Sequence, residues 1–522
     1  MSAALLAALL AAGLGGAPPA GGPAPGDLPA AVEALLSEQV DLAAPVLERL
    51  AADHPASPDA RRALGLLRYF QHRYAEAVEL LGGAAGAPDP TGFLRLAVAA
   101  RDLTGGDAVV ESDHFSVALP RGRDEVLAPY LLDALERQRA ALVADLGAVP
   151  PGKVRVEVLD SVGDLARLST LTDAQIRTTG TIALCKYAKL MLVSPAALVT
   201  GYPWLDTAAH EYTHAVVTAR TRDRAPIWLQ EGLARWLESR WRGAAGLDLG
   251  PVSAALLQRA AASGRLVTFA EMHPSMARLP SQEAAELAFA EVTVAVEEMV
   301  ARGGPGALGR ILDLVAAGVP AERAVADALG TTWSGFEAGW RARMVSRPLP
   351  RGGRRALARL RFRDDPRAAG PWAEWAELPD PPSRDHARLG ELLRERGRWT
   401  AARVEYRRAL DRAGPRVALL VLQYAVAATR SGETAGLERL LAEAVVWSPD
   451  SAALRVQLAR RLLARGDLAG GRAELLAANR QDPLDPEIHA GLAEALAGLG
   501  DAGGASRERR FAAILSTREG DR

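Results

Sequence analysis

The sequence predicts a multi-domain chain, with an α+β domain in the middle flanked on both sides by all-α segments made of helix pairs. Three observations predict it. At 522 residues the chain exceeds what one hydrophobic core holds, and a spacing of about 150 residues per domain gives roughly three or four folded units. Between residues 108 and 195, short stretches that alternate apolar and polar residues are interleaved with long helical patterns. Toward the C-terminus, Gly397, Gly432, Gly466 and Gly500 recur at steps of 35, 34 and 34 residues, and Pro415, Pro449 and Pro483 at steps of 34. A helix pair of that length cannot bury its apolar face alone, so such units stack on their neighbours.

The elements follow in chain order. Residues 1–26, MSAALLAALLAAGLGGAPPAGGPAPG, join an apolar run to small residues and then to Pro, Gly and Ala. That pattern reads as a signal peptide and linker and predicts export to the periplasm or outside, although the run lacks the usual Lys or Arg; the alternative is an alanine-rich leader on a cytoplasmic chain. Residues 27–106 carry apolar positions three and four apart and read as degenerate helical repeats, with His72 standing where a turn glycine is expected.

Residues 107–346 form the mixed domain. HFSVALP (114–120) and VRVEVLD (154–160) read as half-buried strands around the long helical pattern EVLAPYLLDALERQRAALVADLG. TTGTIALC (178–185) and AKLMLVSP (188–195) are close enough to form a hairpin, and two helices follow. Residues 347–383 are an Arg- and Pro-rich linker, read as solvated in preference to a basic contact patch. Residues 384–516 hold the periodic helix pairs, and the segments GELLRERGRWTAARVEYRRALDRAGP and RRLLARGDLAGGRAELLAANRQDPLDP closely resemble tetratricopeptide repeats, which implies a surface that binds a protein partner.

Composition narrows the function. Sixty-two basic residues against 63 acidic ones leave no excess charge for nucleic acid or acidic lipid. No later stretch reaches the roughly 18 apolar residues of a membrane span. Cys185 is the only cysteine, so a metal site has to draw on His and carboxylate ligands. Cys185 itself reads as a small strand residue, and Trp228, Trp236 and Trp241 as core residues at helical spacing.

The stretch DTAAHEYTHAVVTAR (206–220) supplies such ligands. In a helix starting near Tyr202 or Pro203, His210 and His214 lie on one stripe, as a single metal ion requires. Asp206 lies one turn earlier on it, while Leu205, Ala209, Tyr212 and Val216 line a face suited to packing on a sheet. Glu211 follows the first histidine directly and is the expected general base. A third ligand has to come from elsewhere, and Glu231 is the candidate, on a following helix, APIWLQEGLARWLESRW, with Pro226 at its start. Gly232 and Ala234 are expected to let these two helices approach closely, Leu229, Leu233, Trp236 and Leu237 to form core, and Glu238 to face the same way as Glu231.

HEYTH and, starting fourteen residues after its last histidine, WLQEGLARW resemble the gluzincin metallopeptidases, in particular bacterial peptidase-MA-like domains that travel with tetratricopeptide repeats. The resemblance covers about residues 108–345 and implies one zinc ion held by His210, His214 and Glu231, Glu211 as the catalytic base, and hydrolysis of peptide bonds. It also implies an edge strand, around Thr179–Cys185 or Lys189–Val193, along which an extended peptide lies. One departure is Phe289 in LAFAEVTVAV, where similar proteins often carry a tyrosine that steadies the oxyanion; Tyr187, Tyr202 and His273 are the substitutes considered. The expected function is a zinc peptidase whose repeats recruit a protein substrate or partner. A non-catalytic repeat scaffold with a zinc-binding pseudo-peptidase domain is the alternative, and a zinc hydrolase acting on other bonds a third reading.

Overall fold

The computed structural model describes residues 27–82, 91–244, 246, 249–304, 306–348, 360–365, 375 and 378–517. The expected signal peptide at 1–26 and most of the Arg- and Pro-rich linker lie outside them. The chain divides into two units.

The first unit runs through Arg121 and then takes in Ala128–Ser194 and Leu205–Pro348. It opens with five helices, α1 (Asp27–Leu36), α2 (Val40–Asp53), α3 (Pro58–Phe70), α4 (Tyr74–Gly82) and α5 (Phe93–Thr104). Its sheet holds β1 (Ala108–Glu111), β2 (Phe115–Leu119), β3 (Val154–Leu159), β4 (Ala183–Lys186) and β5 (Lys189–Val193) in the order β1-β2-β3-β5-β4. β2, β3 and β5 run parallel, and β1 and β4 pair antiparallel at the two edges. The parallel strands are linked by α6 (Ala128–Leu146) and by α7 (Val162–Leu168) and α8 (Asp173–Thr179).

Three expectations about this sheet need correction. β1 was not anticipated: its AVVE is too short and too exposed to alternate visibly. The TTGTIALC stretch is only half strand, because Thr178 and Thr179 finish α8 and Gly180, at φ 75°, turns the chain out of it. Of the two proposed edges, Lys189–Val193 is an inner strand paired on both sides, and the edge is Ala183–Lys186.

Register decides what each sheet face meets. Val117, Val156, Leu190 and Cys185 are aligned across four strands and share one face; Ala118, Glu157, Met191 and Leu184 share the other. The first face packs on α9 (Trp204–Thr221), where the Tyr212 ring meets Phe115 edge-on at 4.9 Å. The second carries a buried charge: Lys189 Nζ donates to Glu157 Oε2 at 2.7 Å and to the Tyr74 hydroxyl of α4 at 2.9 Å, while that hydroxyl donates to Glu157 Oε1. Buried charges persist only when paired and hydrogen-bonded, so the N-terminal helices cover this face with a matching polar group and are part of the same unit.

After α9 come α10 (Ile227–Leu237), α11 (Pro251–Ser263), α12 (Phe269–Met272), α13 (Gln282–Gly303), α14 (Ala307–Ala316), α15 (Ala321–Leu329) and α16 (Trp333–Ser346). α13 is buried over most of its circumference, and Trp228 of α10 stacks on Phe269 at 4.5 Å beside Trp333.

The second unit contains α17 (Pro381–Glu395), α18 (Trp399–Ala413), α19 (Ala418–Arg430), α20 (Leu437–Trp447), α21 (Ala452–Ala464), α22 (Leu468–Asn479), α23 (Pro486–Gly498) and α24 (Ala502–Ser516), which pair consecutively. The four recurring glycines sit in the turns inside the pairs at φ 68°, 75°, 88° and 86°, a region that side chains rarely enter. In three pairs a histidine or arginine reaches a glutamate nineteen residues on: His386 to Glu405, Arg455 to Glu474 and His489 to Glu508, at 2.7, 2.6 and 2.7 Å. Segments 122–127 and 195–204 also belong to this unit. Tyr202 N donates to Gln481 O and Trp204 Nε1 to Asn479 O, each at 2.9 Å, and Leu198 bridges to Phe362, so this part of the linker is paired, not solvated. Among the described residues no helix is long and apolar enough to cross a membrane.

Candidate metal centre

α9 forms the first half of the centre. Its apolar face buries Leu205, Ala209, Tyr212 and Val216 as the spacing predicts, which turns His210 and His214 away from the sheet. The helix stops at Thr221, where Arg222 and Asp223 both take positive φ and Asp223 N donates back to Thr218 O. Pro226 stands just ahead of α10 as its N-cap, and one turn into that helix Glu231 reaches across to the histidines.

His210 Nε2 and His214 Nε2 lie 3.1 Å apart, and Glu231 Oε2 is 3.3 Å from each. Four ligands placed tetrahedrally at about 2.0–2.1 Å from a zinc ion are about 3.3 Å from one another. The triangle of 3.1, 3.3 and 3.3 Å is therefore one face of such a tetrahedron, with the fourth corner left to a non-protein ligand. Three carboxyl groups, Glu231, Glu238 and Glu211, gather around the two histidines, surroundings that suit a divalent cation. Among the described residues this is the group of three potential ligands whose donor atoms come together, all within 4.8 Å.

Glu238 holds the first histidine in place. Its Oε2 accepts from His210 Nδ1 at 3.1 Å, which leaves Nε2 to face the centre, and its Oε1 accepts from Arg235 Nη1 at 2.7 Å. A carboxylate behind a ligating imidazole fixes both tautomer and ring orientation. The signal for it was present in the spacing, since Glu238 lies seven residues, two turns, after Glu231; Arg235 gave no such signal.

The electrostatics express the same demand for positive charge. Burial works against a charged His210, but the hydrogen bonds to Glu231 and Glu238 outweigh it and raise the imidazole to about 10. Burial also works against the Glu231 carboxylate, yet the two histidines hold its pKa well below the ordinary range. Glu211 is pushed up by burial, with His210 and His214 restraining the rise and the Cys185 backbone amide of β4 also favouring the carboxylate. The carboxyl expected to act as base thus sits between the histidines and the edge strand.

Other residues singled out in the sequence fall elsewhere. Asp206 accepts from Trp241 Nε1 at 2.8 Å and from Arg242, so it braces the helix start and is not a ligand. Gly232 does not face α9: a Cβ there would lie 2.9 Å from Val292 O, so its role is close approach of α10 to α13. Phe289, on α13, stands edge-on to His210 with ring centroids 6.1 Å apart, beside the centre as expected. Of its proposed substitutes, Tyr187 is buried against Tyr69, Phe70 and Phe93 on the far face of the sheet, Tyr202 belongs to the second unit, and His273 caps α12.

Residues 141–346 match the model of the Peptidase MA superfamily. The matched stretch begins within α6 and contains His210, His214, Glu231, Glu211 and the edge strand, and it closes with α16. Solved structures similar to the chain include yeast LTA4 hydrolase in complex with bestatin, with TM-score 0.30 and 11% identity over 78% of this chain and 66% of that one. Native yeast LTA4 hydrolase matches with TM-score 0.30 and 10% identity over 79% of this chain and 67% of that one. The chain thus spans about two thirds of the length of these structures. No curated protein matches it.

Proposed function

We propose that the Peptidase MA superfamily domain is a gluzincin-type zinc peptidase, with His210, His214 and Glu231 holding one zinc ion and Glu211 acting as general base. The observation that carries this reading is the ligand triangle with Glu211 beside it, next to an edge strand. When bound, zinc supplies Lewis-acid activation of a water molecule and of the scissile carbonyl. Glu211 takes a proton from the attacking water and passes it to the leaving amide nitrogen, and its burial, which favours the protonated form, suits it to both steps. Glu238 keeps His210 Nε2 aimed at the centre. The outer side of β4, an edge of the sheet among the described residues, offers backbone donors and acceptors to an extended peptide beside Glu211. The C-terminal helix pairs are read as tetratricopeptide repeats that recruit a protein substrate or partner, and the leader as an export signal.

Metal analysis of the purified chain should give one zinc per molecule, lost in Glu231→Ala. Glu211→Gln should abolish cleavage of a peptide library while zinc is retained. Hydrolysis that survives Glu211→Gln would sink the mechanism. Phe289, which has no hydroxyl to offer an oxyanion, favours a second reading: a zinc-binding scaffold without turnover. Full zinc occupancy with no cleavage of any library member would support that reading.

A further inference from the structure

Gln138 lies in the middle of α6, on a stripe whose other members, Leu131, Leu135 and Leu142, are apolar, and all four are fully buried. A side-chain amide in such a place costs free energy unless its polar atoms are paired, and a leucine would fill the stripe without that cost. The Gln138 amide has partners at both ends. Its Nε2 donates to Thr213 Oγ1 at 3.2 Å and to Leu237 O at 3.0 Å, and its Oε1 accepts from Trp241 N at 3.0 Å. Both amide hydrogens and the carbonyl oxygen are thereby used.

These partners sit on, or directly follow, the two helices that carry the candidate ligands. Thr213 stands on α9 directly before His214, and its hydroxyl donates to the carbonyl of Ala209, the residue before His210, at 2.8 Å. Leu237 is the last residue of α10 and stands directly before Glu238, the carboxylate that holds His210 Nδ1. If α10 went on, Trp241 N would donate to Leu237 O, four residues back. The Gln138 amide takes both of these groups instead, so α10 ends ahead of Glu238 with its donor and acceptor satisfied. The remaining hydrogen of the same amide grips α9 between the two histidines.

We propose that Gln138 is a positioning residue of the metal centre, whose amide ties the helix of His210 and His214 to the end of the helix of Glu231 and so sets the spacing of the three ligands. It acts through Thr213, Leu237 and Trp241. The proposal rests on the reading of His210, His214 and Glu231 as a metal site, and its kinetic consequence rests on the peptidase reading.

Gln138→Met keeps the length of the side chain and suits the apolar stripe, but makes none of the three bonds. Thr213→Val, close in shape, cuts the arm to α9 along with the hydroxyl's own bond to Ala209 O, and leaves the bonds to Leu237 and Trp241 in place. It decides the matter if Gln138→Met fails to fold. On the intact chain, chelator competition should show zinc held about tenfold more weakly by Gln138→Met and at least about threefold more weakly by Thr213→Val. Cobalt(II) bound in place of zinc should show a changed visible spectrum in both variants, because that spectrum follows coordination geometry, which a loss of stability alone leaves as it was. With a peptide substrate, kcat should fall about tenfold in Gln138→Met with KM within about twofold, since what shifts is the reacting centre and not the edge strand.

Zinc affinity within about twofold of wild type and an unchanged cobalt spectrum in the folded variants would overturn the proposal, whatever happens to their melting temperatures. A wild-type chain that binds neither zinc nor cobalt would overturn the metal-site reading and this proposal with it. The binding arms need no substrate, so if the wild type holds zinc and cleaves no peptide, weaker zinc binding by the variants still supports the role of Gln138 while the peptidase reading fails separately.

Discussion

Gly232→Ala sets two known effects against each other at the metal centre. In an exposed helix the change gains about 1 kcal/mol of helix propensity. Here the added Cβ would lie 2.9 Å from Val292 O, 3.0 Å from Val296 Cγ2 and 3.3 Å from Val292 Cβ, where ordinary contact begins at 3.4 Å. The nearest of these atoms is helix backbone and cannot rotate aside, so α10 and α13 must part by roughly half an ångström. Overpacking of this kind costs about 1–3 kcal/mol. Set against the propensity gain, the expected result is a net loss of about 1 kcal/mol, or about 2–4 °C in Tm. The shift also carries the adjacent Glu231, and half an ångström is large beside the roughly 0.2 Å tolerance of metal–ligand distances, so zinc affinity should fall about tenfold. Thermal unfolding with and without zinc, together with chelator competition, measures both. A Tm that rises by a few degrees with zinc affinity unchanged would refute the reasoning, because it would mean that α13 does not fix the position of the third ligand.

Two further outcomes follow from the same geometry. Glu238→Gln removes the carboxylate behind His210 and should weaken zinc binding by about 10-fold or more, with Glu231→Ala as the total-loss reference in the same chelator titration. Glu291, buried on α13 with Val267 N as a donor to it, is pushed up to about 8 by burial from an ordinary value of 4.5. The unfolded chain ionises this group first, so its contribution to stability is fully present below about 4.5 and is lost as pH rises toward 8. Glu291→Gln should flatten that slope and be more stable than wild type at pH 8, on the order of a few kcal/mol; equal slopes in denaturant melts from pH 5 to 8 would contradict the assignment.

Local periodicity made a large part of this protein legible. His210 and His214 share a stripe because a helix turns 100° per residue, whatever surrounds it, and the same spacing set Leu205, Ala209, Tyr212 and Val216 on the buried side. The glycines at 397, 432, 466 and 500 mark turns because their φ values are positive, a local property that recurs with the helix pairs. Glu231 was reachable as a candidate third ligand because the next helix offered it, and its carboxylate lies beside both histidines. Other features depend on contacts between distant residues. Strand pairing made Ala183–Lys186 an edge and Lys189–Val193 an interior strand, although both alternate well enough for either role. Gly232 was correctly read as a point of close approach, but which helix approached, α13 and not α9, was decided by packing. The N-terminal helices look like repeats in their periodicity, yet a buried Lys189–Glu157 pair on the sheet required a polar cover, and Tyr74 of α4 supplies it. Helix faces and turns follow from the chain's own geometry, whereas the edge beside Glu211 and the polar cover over Lys189 and Glu157 arise only when separated segments exclude water together.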